Sequence, residues 1–266
     1  MKNRTPIIKQ LVSLPYTKGM YTFFCKTTAR VFMAIMAILT TAGDVVRGSA
    51  ALSLVSYIWI VNHMDKKLEG ICSISSSVCD NIFCQARRKI KDCICSHCYA
   101  SNQQAIQTGL REHNILNGII FRNVLIPVCA FKTLHFMFPY LRIESFGDVA
   151  NVTQARNYIR IIKAFPRMRC AIWSKNIEIW ARAFELEGKP NNTTYVHSSG
   201  KVNKPDNVDV KKYWFVDHIF TVYDKKYAKE NNIEINCGGR KCMECIIKKT
   251  NCYFHGGPLY VNELLK

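Results

Sequence analysis

From residue 140 onward, apolar runs of strand length alternate with amphipathic segments of helix length, and no other feature of the chain constrains its fold as much. Tyr140 to Ser145 reads as a strand broken by Phe146-Gly147-Asp148. Asn151 to Ala164 carries Ala155, Ile159 and Ile162 at helical spacing, with Asn151 or Thr153 placed to cap its start and Pro166 beyond its end. Cys170 to Trp173 is the next strand, closed by Ser174-Lys175-Asn176. Ile177 to Glu187 then sets Ile177, Trp180, Ala181 and Phe184 on one helical face before Gly188 stops it. Thr194 to His197 is a third strand. Val216 to Tyr223 is a fourth, followed by helical Lys225 to Asn231, and Ile233 to Asn236 is a fifth that runs into Cys237. Strands alternating with helices through short turns pair in parallel through crossover helices. The predicted fold is α/β, with a partial or complete parallel β/α barrel-like core or an open parallel sheet.

In either architecture, chemistry gathers where loops leave the carboxyl ends of the strands. Polar residues occur at those positions: Glu144, Ser145 and Asp148 after the first strand, Ser174, Lys175 and Asn176 after the second, Ser198, Ser199 and Asn203 after the third, Asp224 after the fourth and Cys237 after the fifth. Any one of these is also an ordinary cap or turn former; five strand ends delivering such groups to one rim is a stronger pattern. Glu144, Asp148 and Lys175 are the candidate catalytic residues, and Ser145, Gly147, Ser174, Asn176, Ser198 and Ser199 the candidate cofactor-binding ones.

The 13 cysteines fall mainly into two tight groups, and the odd count and clustered spacing argue for reduced thiolates that bind metal in a cytosol-like compartment. The carboxyl-terminal group is Cys237-x4-Cys242-x2-Cys245-x6-Cys252, which supplies the four thiolates of a closed zinc site or a [4Fe–4S] cluster. Its short loops let one ion or cluster collect them at small entropic cost. Upstream lie Cys79, Cys84, Cys93, Cys95 and Cys98, with Cys72 further out. Among them Cys84, Cys95 and Cys98 stand out, because three thiolates on a cubane leave one iron open to an exogenous ligand. Thiolate number does not decide between zinc and iron. Cys25, Cys129 and Cys170 stand alone on apolar segments and read as small core residues.

Two domains are expected: residues 1–63, an apolar amino-terminal extension, and residues 64–266, the cysteine-rich α/β part. The extension holds two apolar stretches of about 12 residues, each short of the roughly 20 that span a bilayer as a helix. Joined, they would carry Asp44 and Arg47 into the hydrocarbon. The extension is thus either a membrane-associated segment or an accessory or mis-assigned start. It contains seven basic residues against one acidic, so the formal net charge of +18 leaves +12 for residues 64–266. That balance makes nucleic acid a possible partner of a zinc-stabilised binding module, although no recognised nucleic-acid motif occurs. P-loop, GxGxxG, GxSxG and HExxH sequences are also absent.

Residues 72–266 resemble a family of phage and gut-bacterial proteins that carry the gene product 88 domain. The resemblance rests on Ser73-Ile-Ser-Ser76, Asp80-Asn-Ile-Phe-Cys84-Gln-Ala-Arg87 and Ile94-Cys-Ser-His-Cys-Tyr-Ala100. It continues through Arg142-Ile-Glu-Ser-Phe-Gly-Asp148, Ala171-Ile-Trp-Ser-Lys-Asn176, Tyr213-Trp-Phe-Val-Asp217 and Phe220-Thr-Val-Tyr-Asp224, and closes with Asn236-Cys-Gly238 to Cys252-Tyr253. It implies that Cys84, Cys95 and Cys98 and the four downstream cysteines are the metal ligands, and that Cys72, Cys79 and Cys93 are peculiar to this chain. A three-cysteine cluster near the start of such a core and a four-cysteine site near its end is similar in layout to radical S-adenosylmethionine enzymes with an auxiliary cluster. Their cluster loop is Cys-x3-Cys-x2-Cys, from which Cys84-x10-Cys95-x2-Cys98 departs. The function expected from this resemblance is an iron–sulfur redox enzyme that uses S-adenosylmethionine, with a zinc-stabilised nucleic-acid-binding module as the alternative.

Overall fold

The computed structural model describes residues 62–63, 66–132, 134, 136–238, 241–248 and 252–265. The apolar extension up to residue 61, and Gly239-Arg240 within the carboxyl-terminal cysteine stretch, lie outside these residues.

Seven strands form one sheet in the order in which they occur in the chain. They are β1 (Asn62–His63), β2 (Cys72–Ile74), β3 (Tyr140–Ile143), β4 (Arg169–Ser174), β5 (Thr193–Ser198), β6 (His218–Tyr223) and β7 (Tyr260–Leu264). β1 runs antiparallel to β2, and the six strands from β2 to β7 are all parallel. The β2 to β3 crossover carries α1 (Ile82–Arg88), a 3-10 turn (Ile94–His97), α2 (Tyr99–Ile106), α3 (Thr108–Asn123) and α4 (Val128–Phe131). The later crossovers carry α5 (Val152–Ala164), α6 (Ile177–Glu187), α7 (Lys225–Glu230) and α8 (Cys242–Ile247).

Parallel crossovers are right-handed, so strands that always step to the next neighbour in one direction put their helices on one face of the sheet. The larger core lies on that face. Ile74, Ile143, Ile172 and Tyr195, at alternate strand positions, pack on Ile159 and Ile162 of α5 and on Trp180 and Phe184 of α6. The intervening positions, Ala171, Trp173 and Val196, face the other way and pack with Ile71, Ile246 of α8 and Tyr253. The caps follow the sequence: Asn151 accepts from Gln154 N at 2.9 Å, and Asp224 accepts from Lys226 N at 2.9 Å.

The structure selects the open form among the alternatives of the sequence reading and departs from that reading elsewhere. Among the described residues the sheet is open, with β2 and β7 unpaired to each other, so a complete barrel is not formed. Six parallel strands fall short of the eight or so whose side chains fill a closed interior, and α8 with the segment around Tyr253 covers the inner face instead. Ile233 to Asn236 is not a strand; this segment lies along β7, with Asn262 N donating to Asn236 Oδ1 (2.8 Å) and Cys237 N donating to Asn262 O (2.9 Å). β7 itself escapes the sequence because Tyr260-Val-Asn-Glu-Leu264 is half polar and lacks a crossover helix of ordinary length before it. The fourth predicted strand begins at His218, because Val216 N closes a turn onto Tyr213 O (2.9 Å). Cys170 is buried as expected, whereas Cys129 at the start of α4 is exposed. No helix of the described residues is long and apolar enough to cross a membrane.

Asn157, fully buried on α5, stitches this helix to the chain leaving α3. Its Nδ2 donates to Phe121 O (2.9 Å) and Val124 O (2.7 Å), and its Oδ1 accepts from Ile126 N (2.8 Å). Replacing it with alanine strands three buried backbone groups, so Asn157→Ala is expected to cost about 2–4 kcal/mol in urea unfolding. A loss below about 0.5 kcal/mol would show that these groups are satisfied without it.

Candidate functional site

The parallel strands β2 to β6 each end in a polar turn, and side chains from neighbouring turns bond to one another along the rim. Glu144 follows β3 with φ of 59°, a left-handed conformation that is unfavourable for a residue with a Cβ. That turn aims its carboxylate back between β2 and α5. Oε2 accepts from Ser76 N (3.0 Å), and Oε1 accepts from Ser76 Oγ (2.8 Å), Gln154 Nε2 (3.0 Å) and the Tyr158 hydroxyl (2.7 Å). Gly147 lets this turn close, because a Cβ there would stand 2.4 Å from Ser76 O and 2.8 Å from Glu144 Oε2. Ser145 belongs to the same lacing, accepting from Ser73 Oγ (2.8 Å) and donating its N–H to Ser75 Oγ (3.1 Å).

Asp148 clamps the next turn. Its Oδ1 accepts from Val149 N (2.8 Å) and the Ser174 hydroxyl, and its Oδ2 accepts from Lys175 N (2.8 Å). Asn176 completes that turn, donating its N–H to Ser174 Oγ (2.9 Å). The Lys175 ammonium reaches across to Ser198 Oγ (2.7 Å) at the end of β5, and Ser199 Oγ meets Thr221 Oγ1 (2.9 Å) on β6. The residues expected on one rim are thus brought together, but in unequal settings. Glu144 and Asp148 are only 3% and 5% exposed and fully engaged by their own loops. Lys175 and Asn176 are half-buried, and Lys175 is the expected catalytic candidate that offers a charged group at the rim surface.

The upstream cysteines stand over this rim. Cys84 lies in α1, which Asn81 starts by accepting from Phe83 N (3.0 Å) and Cys84 N (3.4 Å); Cys95 lies in the 3-10 turn, and Cys98 caps α2. All three are half-buried free thiols. Their loop is tied to the end of β5 through a Cys93–Lys201 bridge and the Ile94 N to Gly200 O bond (2.9 Å). Burial pushes the Cys84 thiol up, with the carboxylates of Asp148 and Glu144 adding to it, and then Cys95 and Cys98. Burial also raises Cys95, to about 11, against the Lys175 ammonium, which favours the thiolate. Cys93, which the sequence sets aside, is buried and bonded to Cys95. Cys72 faces the helix-side core, away from any site.

The downstream cysteines lie on the inner face. Cys242 and Cys245 belong to α8, Cys237 lies along β7, and Cys252 follows α8, its carbonyl accepting from the Thr194 hydroxyl of β5. Burial raises Cys252 to about 12, opposed by the Arg142 guanidinium. Arg142, Lys67 and the serines of Ser73 to Ser77 are participants that the sequence analysis did not single out. Ser75-Ser76-Ser77 follows directly on a short apolar run, and that is the signal that would have marked the first rim turn.

Among the described residues no three His, Cys, Asp or Glu side chains converge on a single ion. The donor chemistry of both groups, all thiol and without a carboxylate ligand, fits a soft-ligand centre such as an iron–sulfur cluster or zinc. No protein-family model matches the chain, and no curated protein or solved structure matches it.

Burial holds the Glu144 carboxyl up at about 7, above its ordinary 4.5, while Ser76 and Tyr158 pull it down. A folded-state value above the unfolded one means that protonation favours the fold. This stabilisation is complete below about pH 4.5 and is lost as pH rises to about 7. Glu144→Gln removes the titration, so wild type should lose about 2–3 kcal/mol relative to the variant between pH 4.5 and 7.5 in parallel urea unfolding. Curves that run parallel across this range would contradict the assignment.

Proposed function

We infer that the chain is an iron–sulfur redox enzyme of the gene product 88 type, with a partial β/α barrel-like core resembling that of radical S-adenosylmethionine enzymes. One observation carries this reading. Six parallel strands in unbroken chain order set the loop of Cys84, Cys95 and Cys98 directly after the first of them, over the carboxyl-end rim. Three thiols there leave room for an exogenous ligand, whereas a purely structural centre would be closed by four. In this reading those three hold a cluster, and Cys237, Cys242, Cys245 and Cys252 hold a second, structural or electron-relay centre. The cluster would supply one-electron chemistry and an open position for the amino and carboxyl groups of S-adenosylmethionine.

The chain's own residues divide the remaining work. Glu144 and Asp148, buried and fully bonded, fix the turns on which the rim stands, and so act as positioning residues. Lys175, with Ser198 and Ser199 beside it, offers cationic and hydroxyl contacts to a bound molecule. Free thiols in such number suit the reducing cytoplasm.

A second reading has its own observation. The backbone β-bridges Cys93–Lys201 and Lys201–Lys204 set two lysines beside the upstream cysteine loop, whose sequence carries Arg87, Arg88, Lys89 and Lys91, and Gly200 lies against Arg87 Nη1. Such a basic collar suits the phosphates of a nucleic acid, with zinc in place of iron.

Protein purified without oxygen is expected to be brown, with about four or eight irons and matching sulfide, and to change spectrum when S-adenosylmethionine is added. Cys84→Ala should abolish that change and leave the downstream centre's iron in place. Colourless protein holding zinc, with nucleic-acid affinity that falls steeply with salt, would replace this reading with the second.

A further inference from the structure

The inner face of the sheet carries a cation, Arg142, that makes no ion pair with a carboxylate among the described residues. Arg142 lies in the middle of β3, and its guanidinium stacks 4.0 Å over the ring of Trp173. Its buried Nε has no hydrogen-bond partner. Arg142 is half-buried, and a guanidinium whose Nε is shut off from water without an acceptor ordinarily has a counter-charge nearby that belongs to the site. Trp173 sits in the small inner core against which Cys242, Cys252 and Met243 pack. A second cation flanks the same thiols: Lys67 Nζ is 3.5 Å from Cys237 Sγ and 2.6 Å from Glu263 Oε1. Glu263 takes up much of the charge of Lys67 and leaves Arg142 as the uncompensated cation.

We propose that Arg142, seated on Trp173 and assisted by Lys67, is the counter-ion of a thiolate–metal centre formed by Cys237, Cys242, Cys245 and Cys252. Four thiolates on a divalent ion carry a net double negative charge, and on a buried sheet face that charge needs an opposite one nearby. The upstream group differs, because Cys84 has the carboxylates of Asp148 and Glu144 for neighbours. The two groups therefore differ in setting, with Arg142 and Lys67 on the inner face and two carboxylates together with Lys175 at the rim. The proposal rests on the downstream cysteines being metal ligands, and it holds for zinc as for iron.

The test uses the full chain carrying Cys84→Ala, Cys95→Ala and Cys98→Ala, so that only the downstream group remains, with Zn²⁺ as the probe and a competing chelator to read affinity. Arg142→Gln is expected to weaken Zn²⁺ binding about tenfold or more, and Arg142→Lys, which keeps the charge, to stay within about threefold of the parent. In the complementary chain, with Cys242→Ala and Cys252→Ala, Arg142→Gln should leave Zn²⁺ binding by the upstream group unchanged. Unchanged downstream affinity in Arg142→Gln overturns the proposal. Equal loss in Arg142→Lys overturns it too, as does equal loss at the upstream group, because each marks a packing role in place of a charge. Absence of iron from the native protein would sink the redox reading and leave this test intact.

Discussion

The buried carboxylate of Glu144 is the interaction on which the rim depends. One oxygen receives three donors, from Ser76, Gln154 and Tyr158, and the other a backbone N–H of Ser76, so a single side chain joins the β2 turn, the β3 turn and the first turns of α5. The cost is met locally: a left-handed backbone at Glu144, a glycine at 147 where no Cβ fits, and a carboxyl whose ionisation the burial opposes. Asp148 repeats the arrangement one turn further on, holding Ser174 and Lys175. Carboxylates that read as catalytic in sequence thereby act as the mortar of the surface on which chemistry would occur.

This lacing also explains why the upstream cysteine loop can be long and irregular yet well placed. Asn81, the cap of α1, donates its amide to the Asp148 carbonyl, and the Tyr99 hydroxyl donates to the Ser145 carbonyl. Both ends of the loop are thus bonded to the turn after β3, while its middle is bonded to Gly200 after β5. The thiols ride on three anchors supplied by two strand ends.

The part of the fold with regular periodicity was legible in the sequence. α5 and α6 carry clear 3.6-residue patterns, β4 holds the continuous apolar run Cys170 to Trp173 of the sort that parallel strands require, and β5 is rich in β-branched and aromatic residues from Thr193 to Val196. β2 is only three residues long, α1, α2 and α4 are short, and α3 mixes Asn114 and Asn117 with Ile119 and Phe121 among its buried residues, so none offers a clear period to read. β7 is half polar because one side of it faces Lys67 and the segment of Asn236 and Cys237. The rim residues were legible as a set, since polar residues after strands follow a rule of the architecture. Their division into buried anchors and an accessible lysine was not, because it turns on which turn folds inward. Arg142 was hidden for a related reason: a lone arginine within a strand looks like a solvated position until the opposite face is seen to be covered by α8.

The crossovers differ in length in a telling way. From β3 to β4 the chain runs through residues 144–168 and from β4 to β5 through 175–192, each holding little beyond one helix, whereas β2 to β3 spans 75–139 and carries the whole upstream cysteine apparatus. Closing a loop costs free energy that grows only with the logarithm of its length, about 0.6 kcal/mol per doubling. The longest connection therefore adds only about 1 kcal/mol over its neighbours before its own packing is counted. A scaffold of this kind lets one connection lengthen and diversify while the strands on either side keep their pairing, so the cysteine-bearing loop can change the spacing of its thiols without any strand changing its partner.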